Sequence, residues 1–324
     1  MHVIPQLKNQ AVRDLAWSCF GHNLINSFSQ QRDGQNISNN IIELTEQRLA
    51  WLAQLDKTPE PLIQHLKTLK SSRIGLYFES LWQFFLRHDQ QYRLITHNLK
   101  VYRNKITYGE IDLIYQDTYS GQYTHLELAI KFYLNQSLTG PSSVFSNDYH
   151  HWVGPNAIDR LDKKLNRLLS HQIQLSNSDE ARLILQAKGV DEVNQEIALK
   201  GYLFYPLNLP SSEMTSKQEQ PIAWLPQQNY WLKLNQFDSI ISQSIYWLWL
   251  QKPQWISPAY GTIAASSEQL IHGNDIAAVL KDYFDRYQQP LLLCAVAIQG
   301  HEYIEQQRYF ITRNNWPIMT KGQH

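Results

Sequence analysis

Three charged side chains in the segment GEIDLIYQDTYSGQYTHLELAIK have the types that metal-assisted hydrolysis uses: Asp112, Glu127 and Lys131. Two runs rich in Ile, Leu, Tyr and Phe flank a polar connector, so the segment predicts a β-hairpin with strands over 110–116 and 123–132. If the connector is roughly symmetric, Asp112 and Glu127 stand nearly opposite each other, with Cβ atoms about 4.5–5.5 Å apart. Two carboxylates this close repel each other unless a proton or a cation lies between them.

The chemistry that fits this pair is binding of a hard divalent cation. Carboxylate oxygens at this spacing suit Mg²⁺, or Mn²⁺ in its place, together with water and phosphate oxygens. Lys131 lies on the same face as Glu127, one pleat beyond the usual position, where an amine would orient or activate a metal-bound water. The pattern therefore predicts metal-assisted phosphodiester hydrolysis. A solvated ladder of acidic and basic side chains on the wet face of an ordinary hairpin is the alternative that the spacing leaves open.

A third carboxylate lies in the preceding helix. Residues 73–88 are apolar around most of the predicted helix, and a helix of that kind is usually buried. Glu79 interrupts this apolar surface, and a buried carboxylate normally needs a partner or a metal. Gly75 lies one turn earlier on the same face, where the missing side chain lets another group approach. Pairing with a strand lysine such as Lys100, or exposure to water, is the alternative for Glu79.

The order of these residues resembles the core of the PD-(D/E)xK, or restriction-endonuclease-like, nucleases, and the whole chain is similar to a bacterial family of unknown function grouped with them. The resemblance implies that Asp112 and Glu127 bind Mg²⁺ or Mn²⁺ and that Glu79 holds a metal water or a second ion. It also implies that Lys131 stabilises the attacking hydroxide. The usual lysine position, two residues after Glu127, is Ala129 here, so the lysine would have to act from one pleat away.

The resemblance also implies the fold class and the domains. We expect an α/β protein with a restriction-endonuclease-like core, in which helices flank a central mixed sheet. The motifs extend over about residues 73–205. A helical N-terminal layer would occupy 1–72, the nuclease-like core 73–209, and an aromatic-rich α+β region, packed on the core, 210–324.

A basic stripe makes DNA the expected partner. The sequence from Gly154-Pro155-Asn156 onwards predicts an amphipathic helix with leucines on one side. Its other side carries the basic residues Arg160, Lys164, Arg167 and His171. This stripe would track phosphates beside the hairpin, and an ordinary solvated helix face is the alternative.

Composition argues against several other classes of protein. Lys plus Arg equals Asp plus Glu at 29 each, which argues against a protein that coats nucleic acid by charge alone. The longest uninterrupted apolar run has eight residues, Leu291–Ile298, and the N-terminus lacks a hydrophobic signal core, so we expect a cytoplasmic protein without membrane spans. The two cysteines fit no disulfide or metal pattern. Adjacent His150 and His151 are expected to point opposite ways and lack further ligands, so no zinc site is predicted.

The other elements are predicted from periodicity and turn residues. Helices are expected over 10–28, 41–55 and from Thr58 towards Leu69, with a loop over 30–40. A strand over 92–102 turns at Asn104-Lys105 into the hairpin, loops are expected over 135–147 and 210–220, and a central-sheet strand over 198–206. Towards the C-terminus we expect a strand over 223–234, a helix containing Tyr246, Trp247 and Trp249, a helix over 274–287 and a closing hairpin around Gln299-Gly300.

Two functions from other classes remain open. A nuclease fold that has lost catalysis and binds nucleic acid or a partner protein would explain Ala129 at the lysine position. A structural role for the aromatic C-terminal region is the weaker alternative. The sequence leaves the substrate, its strandedness and the oligomeric state open.

Overall fold

A computed structural model describes residues 7–26, 28, 31–32, 35–139, 146, 148–209, 229–266 and 269–317. These residues have a mixed α/β fold, as expected. They divide into two compact units, one within 7–131 and 164–201, the other within 132–163, 202–209 and 229–317. The three-part division expected from the sequence stays a prediction.

The helices and strands have the following bounds. The α-helices are α1 (Gln10–Phe20), α2 (Glu46–Lys57), α3 (Glu60–Lys67), α4 (Ile74–His88), α5 (Leu161–Arg167), α6 (Asp179–Gln186) and α7 (Gly273–Arg286). The strands are β1 (Gln31–Arg32), β2 (Gln35–Asn39), β3 (Tyr92–Arg103), β4 (Ile106–Asp117), β5 (Tyr123–Asn135), β6 (Trp152–Val153), β7 (Asn194–Pro206), β8 (Asn229–Lys233), β9 (Tyr246–Leu250), β10 (Tyr260–Thr262), β11 (Leu270–His272), β12 (Leu291–Gln299) and β13 (Glu302–Thr312).

The first unit is built on the predicted meander. Strands β3, β4 and β5 are antiparallel neighbours, β7 lies next to β5, and β2 adds to β7 in parallel. The turn between β3 and β4 uses Asn104 and Lys105, both at positive φ (52° and 65°), as a tight hairpin turn requires. The predicted meander and hairpin are therefore confirmed, with strands somewhat longer than the sequence indicated.

Helix α4 lies against β3 and α1 and supplies much of this core. Its apolar side chains follow the helical repeat, and Leu81, Trp82 and Phe85 are fully buried. Fully burying one such side chain contributes about 1.5–3 kcal/mol relative to exposure. The helix predicted over 73–88 is thus confirmed, and it holds Glu79 at the edge of the packed layer.

Three boundaries in the N-terminal region differ from the predictions. Helix α1 ends at Phe20, well short of residue 28. The stretch predicted as a loop contains β1 and β2, because β2 gains backbone pairing with β7 that no local pattern shows. Helix α2 begins only at Glu46, since the Thr45 side chain accepts a hydrogen bond from the Arg48 amide and caps the helix there.

In the second unit β12 lies between β9 and β13, with β11 on the far side of β9 and β8 on the far side of β13. The predicted helix with Tyr246, Trp247 and Trp249 is wrong: these residues form strand β9. Five residues of β9 pair with β12, and the apolar run is too short for a helix to compete. The predicted closing hairpin and α7 are confirmed.

Several predicted segments lie wholly or partly outside the described residues. These are 210–220, most of the 135–147 loop, and the first part of the strand predicted over 223–234. Among the described residues, no helix is long and apolar enough to cross a membrane.

Candidate metal centre

The hairpin brings Asp112 and Glu127 together where regular pairing between β4 and β5 stops. The register Leu113↔Leu126 is the last pair at this end, and its continuation sets Asp112 opposite Glu127, as predicted. Beyond this pair a backbone amide bonds to a carboxyl group instead of to the backbone of the neighbouring strand. The Leu128 amide donates to Asp112 Oδ2 at 2.8 Å. The Glu127 carboxyl in turn hydrogen-bonds with the backbone and the side chain of Asp112. The two carboxyl groups therefore share one side of the hairpin.

Glu127 is fully buried, and polar side chains hold both of its oxygens. Oε1 lies 2.9 Å from His125 Nε2, and Oε2 accepts a hydrogen bond of 2.8 Å from Gln172 Nε2. His125 Nδ1 lies 2.9 Å from Ser176 Oγ. Burial lowers the pKa of His125 to about 4, so the imidazole is neutral near pH 7. With an ionised Glu127, Nε2 carries the hydrogen and Nδ1 accepts from the Ser176 hydroxyl.

Glu79 lies beside this pair and is organised by Asn98. The Asn98 side chain donates to Glu79 Oε2 at 3.4 Å and to Glu110 Oε1 at 3.1 Å. Asn98 is opposite Asp112 in the register of β3 and β4, and its backbone has a φ of 48°. A non-glycine residue in the left-handed region within a strand is uncommon and costs energy, which makes this position a marker of function. The alternative pairing of Glu79 with Lys100 is not what the structure shows.

Burial raises the pKa values of all three carboxyl groups. Burial raises the pKa of Asp112 to about 7, and repulsion from Glu127 adds to it. Burial also raises the pKa of Glu127 to about 7, although the charge of Lys164 opposes the shift. Burial and repulsion from Asp112 raise the pKa of Glu79 to about 7. A divalent ion would lower the cost of ionising the Asp112–Glu127 pair, so this pair of donors fits Mg²⁺ or Mn²⁺, whereas the ligand atoms of Glu79, Asp112 and Glu127 do not all lie within 4.8 Å of one another.

Lys164, which the sequence assigned to a surface stripe, belongs to this cluster. Its Nζ donates to Gln172 Oε1 at 3.1 Å, and its charge acts on both Asp112 and Glu127. Burial and the neighbouring charge of Lys131 lower the pKa of Lys164. Lys131 itself is half-buried on β5. Four residues of strand separate it from Glu127, a rise of roughly 13 Å along the backbone at 3.3 Å per residue.

The four residues of the predicted basic stripe have different surroundings, and their contact with DNA stays a prediction. Helix α5 begins at Leu161 rather than at Asn156, whose side chain instead accepts from the Ile158 amide. Arg160 belongs to the second unit and forms a 2.5 Å ion pair with Asp162. Arg167 and His171 are exposed on the first unit, as the stripe required.

Two further expectations are corrected here. His150 and His151 lie in a 3₁₀ turn rather than in extended chain, and their ring centroids are 3.9 Å apart instead of pointing opposite ways. Together with Asp148 they offer three potential metal-ligand atoms that lie within 4.8 Å of one another, a grouping found when the described residues are searched. The cluster is largely exposed.

No neighbouring group comes close to Gly75, because a Cβ there would meet open space.

Sequence reasoning missed the roles of Asn98, Gln172 and Ser176. No spacing rule links Asn98 to a carboxylate in another element, and Gln172 follows a π-helical turn over Leu168–Gln172 that α-helical periodicity does not anticipate. Ser176 contacts His125 only after the chain has turned back over the sheet.

Fold and site define a mixed α/β protein with a half-buried acidic cluster at the point where two antiparallel strands cease to pair. Residues 13–312 match the family described as "Domain of unknown function (DUF1853)", so the chain belongs to that family. Neither the curated proteins nor the solved structures contain a significant match. The family description states no activity, and the link to PD-(D/E)xK nucleases stays a prediction.

Proposed function

We propose that this protein hydrolyses phosphodiester bonds of DNA with Mg²⁺ or Mn²⁺, using a PD-(D/E)xK-type site. The observation that carries the proposal is the pair Asp112 and Glu127, which share one side of the hairpin with their pKa values raised to about 7. Burial makes both acids harder to ionise, and the charge of Glu127 adds to this effect at Asp112. Perturbed carboxyl groups of this kind cluster at functional sites.

The acidic residues of the site would have different roles. Asp112 and Glu127 would hold the ion directly, and Glu79, half-buried and next to Asp112, is suited to a metal-bound water or a second ion. When bound, the ion would supply Lewis-acid activation of a water and of the phosphate. His125 and Gln172 fix the orientation of the Glu127 carboxyl through their hydrogen bonds. Asp112 is half-buried rather than fully enclosed, which leaves the site open to substrate.

The hydrolysis itself is a simple displacement. The oxygen of a water forms a new bond to phosphorus while one phosphorus–oxygen ester bond breaks. The departing alkoxide takes up a proton, so that the products are a phosphomonoester and an alcohol. The carboxylates would hold the ion and position the water, and a nearby ammonium group would neutralise negative charge on the phosphate; none of them forms a covalent bond to the substrate.

The test is cleavage of single-stranded, double-stranded and branched DNA with Mg²⁺ or Mn²⁺, by the wild type and by Asp112→Asn. We expect metal-dependent cleavage by the wild type and loss of at least 100-fold in the variant, whose side chain keeps the shape but loses the charge. Equal cleavage by the two proteins would refute the proposal.

A second candidate function rests on Ala129. This residue is 5% exposed and occupies the usual lysine position, which favours a nuclease fold that binds nucleic acid or a partner protein without cleaving. Such a protein would show no thermal stabilisation by Mn²⁺, whereas a working site is stabilised increasingly with ion concentration.

A further inference from the structure

We propose that Lys164, reaching in from helix α5, supplies the amine of the site in place of the missing strand lysine at position 129. This inference rests on the proposed function and deepens it. The amine would contact the attacking water or a non-bridging oxygen of the scissile phosphate.

The first observation is the chain of contacts from Lys164 to Glu127. Lys164 Nζ donates to Gln172 Oε1 at 3.1 Å, and the same amide group donates through Nε2 to Glu127 Oε2 at 2.8 Å. The Gln172 side chain thus serves as a spacer that holds an ammonium group one hydrogen-bonded step from a buried carboxylate. A lysine that only tracked solvent phosphates would not be tied to the acidic cluster.

The second observation is the local helix geometry. Residues eight apart in an uninterrupted α-helix are offset by about 80° around the axis. Between Lys164 and Gln172 the chain passes from α5 into the π-helical turn Leu168–Gln172. The wider turn rotates less per residue and reduces this offset, so Lys164 Nζ reaches the Gln172 side chain, which in turn reaches Glu127. Single π turns are frequently found at functional sites.

The third observation concerns the position where the amine is missing. Ala129 lies two residues after Glu127, so the alternation of β5 sets it on the same face. Its side chain ends at Cβ, so the position that usually carries the lysine has no amine. The charge of Lys164 acts on both Asp112 and Glu127, whereas the charge of Lys131 is felt at Lys164. Lys131 is the alternative amine on the strand itself, so it serves as the comparison for Lys164.

The experiment compares Lys164→Met, which keeps the aliphatic stem, with Lys131→Met as matched control. The first readout is Mn²⁺ affinity measured by titration calorimetry without DNA. Removing an ammonium group beside the ion should make Lys164→Met bind Mn²⁺ several-fold more tightly, while Lys131→Met changes affinity less than twofold. Unchanged affinity in Lys164→Met would overturn the inference, because the amine would then lie too far from the ion.

The second readout is Mn²⁺-dependent cleavage of DNA. Lys164→Met should lose on the order of 100-fold in rate, the usual effect of removing one charge-stabilising donor. Lys131→Met should stay within about threefold of the wild type, and Lys164→Arg should keep part of the activity. The double variant Lys164→Met with Ala129→Lys should recover at least tenfold, which a merely structural role would not produce. Full activity in Lys164→Met, with loss in Lys131→Met, would contradict the assignment.

Failure of the proposed function looks different. A wild type that binds no Mn²⁺, or that binds it and cleaves none of the DNA substrates, would overturn the nuclease proposal and this inference with it. Should Ala129→Lys prevent folding, as judged by circular dichroism, the comparison of Lys164→Met with Lys131→Met decides alone.

Discussion

Replacing Asp112 with asparagine should stabilise the metal-free protein and at the same time remove its response to metal. The substitution keeps the shape of the side chain and an oxygen that can accept the 2.8 Å hydrogen bond from the Leu128 amide. What it removes is a negative charge next to the Glu127 carboxyl. A site built for a cation should tolerate this loss well when no cation is supplied.

The pKa of Asp112 gives the magnitude. The folded protein raises it from 3.8 to about 7, and each unit corresponds to 1.36 kcal/mol, or about 4 kcal/mol at full ionisation. Half-exposure of the side chain and sharing of protons with Glu127 reduce this to about 1–3 kcal/mol. Because the folded-state pKa is raised, the stability contributed by the protonated group is complete below about pH 4 and lost as pH rises through 7. The advantage of Asp112→Asn therefore appears at pH 8 and vanishes near pH 4.

Urea unfolding in EDTA at pH 4.5 and pH 8 measures this difference, and repetition with Mn²⁺ measures the response to metal. Saturation at about 1,000 times the dissociation constant should stabilise the wild type by about 4.1 kcal/mol and reverse the order of the two proteins. Asp117→Asn is the control on the same strand. There burial opposes ionisation, but hydrogen bonds from the Tyr119 amide and the Gln91 side chain outweigh it and lower the pKa, so that variant should be destabilised. An Asp112→Asn protein less stable than wild type at pH 8 in EDTA would refute the reasoning.

Three further predictions concern pH, second-sphere contacts and packing. Mn²⁺ affinity measured by calorimetry should rise with pH up to about 7–8 and then level off, because the carboxyl groups with raised pKa must lose their protons to bind; a flat profile from pH 5 would contradict this. His125→Ala leaves Glu127 Oε1 without its donor and should weaken Mn²⁺ binding about 10–100-fold, with circular dichroism confirming the fold. Gly201→Ala should destabilise the protein by more than about 3 kcal/mol in urea unfolding, because the new Cβ would lie 1.6 Å from the Lys131 carbonyl oxygen and the backbone has a φ of 139°. Gly75→Ala is the control: its Cβ meets open space, so the change should be neutral or stabilising by up to about 1 kcal/mol.

Local sequence predicted the acidic pair because two rules sufficed: alternation along a strand and a short, nearly symmetric connector. Both act over about fifteen residues and left Asp112 and Glu127 on one side of the hairpin. The amine could not be predicted in the same way. Lys164 was placed by its helical phase on a solvated face, but that phase assumed a uniform α-helix, and the π turn after α5 changes which side chains meet.

Longer-range pairing explains the other failures. Strand β9 was taken for a helix because five consecutive apolar residues carry no period, and its partner β12 lies over forty residues later in the chain. Asn98 was overlooked because its two carboxylate partners lie in other elements and its positive φ is not revealed by the residue type alone. Sequence was informative where contacts are local and silent where they join distant segments.

The most direct test of the account is the anomalous diffraction of a crystal soaked with Mn²⁺. We predict an anomalous peak between the carboxyl groups of Asp112 and Glu127, with the Glu79 side chain beside the peak. A peak only at the exposed cluster of Asp148, His150 and His151, or no peak at a saturating concentration of Mn²⁺, would contradict the claim that the buried acids form a cation site.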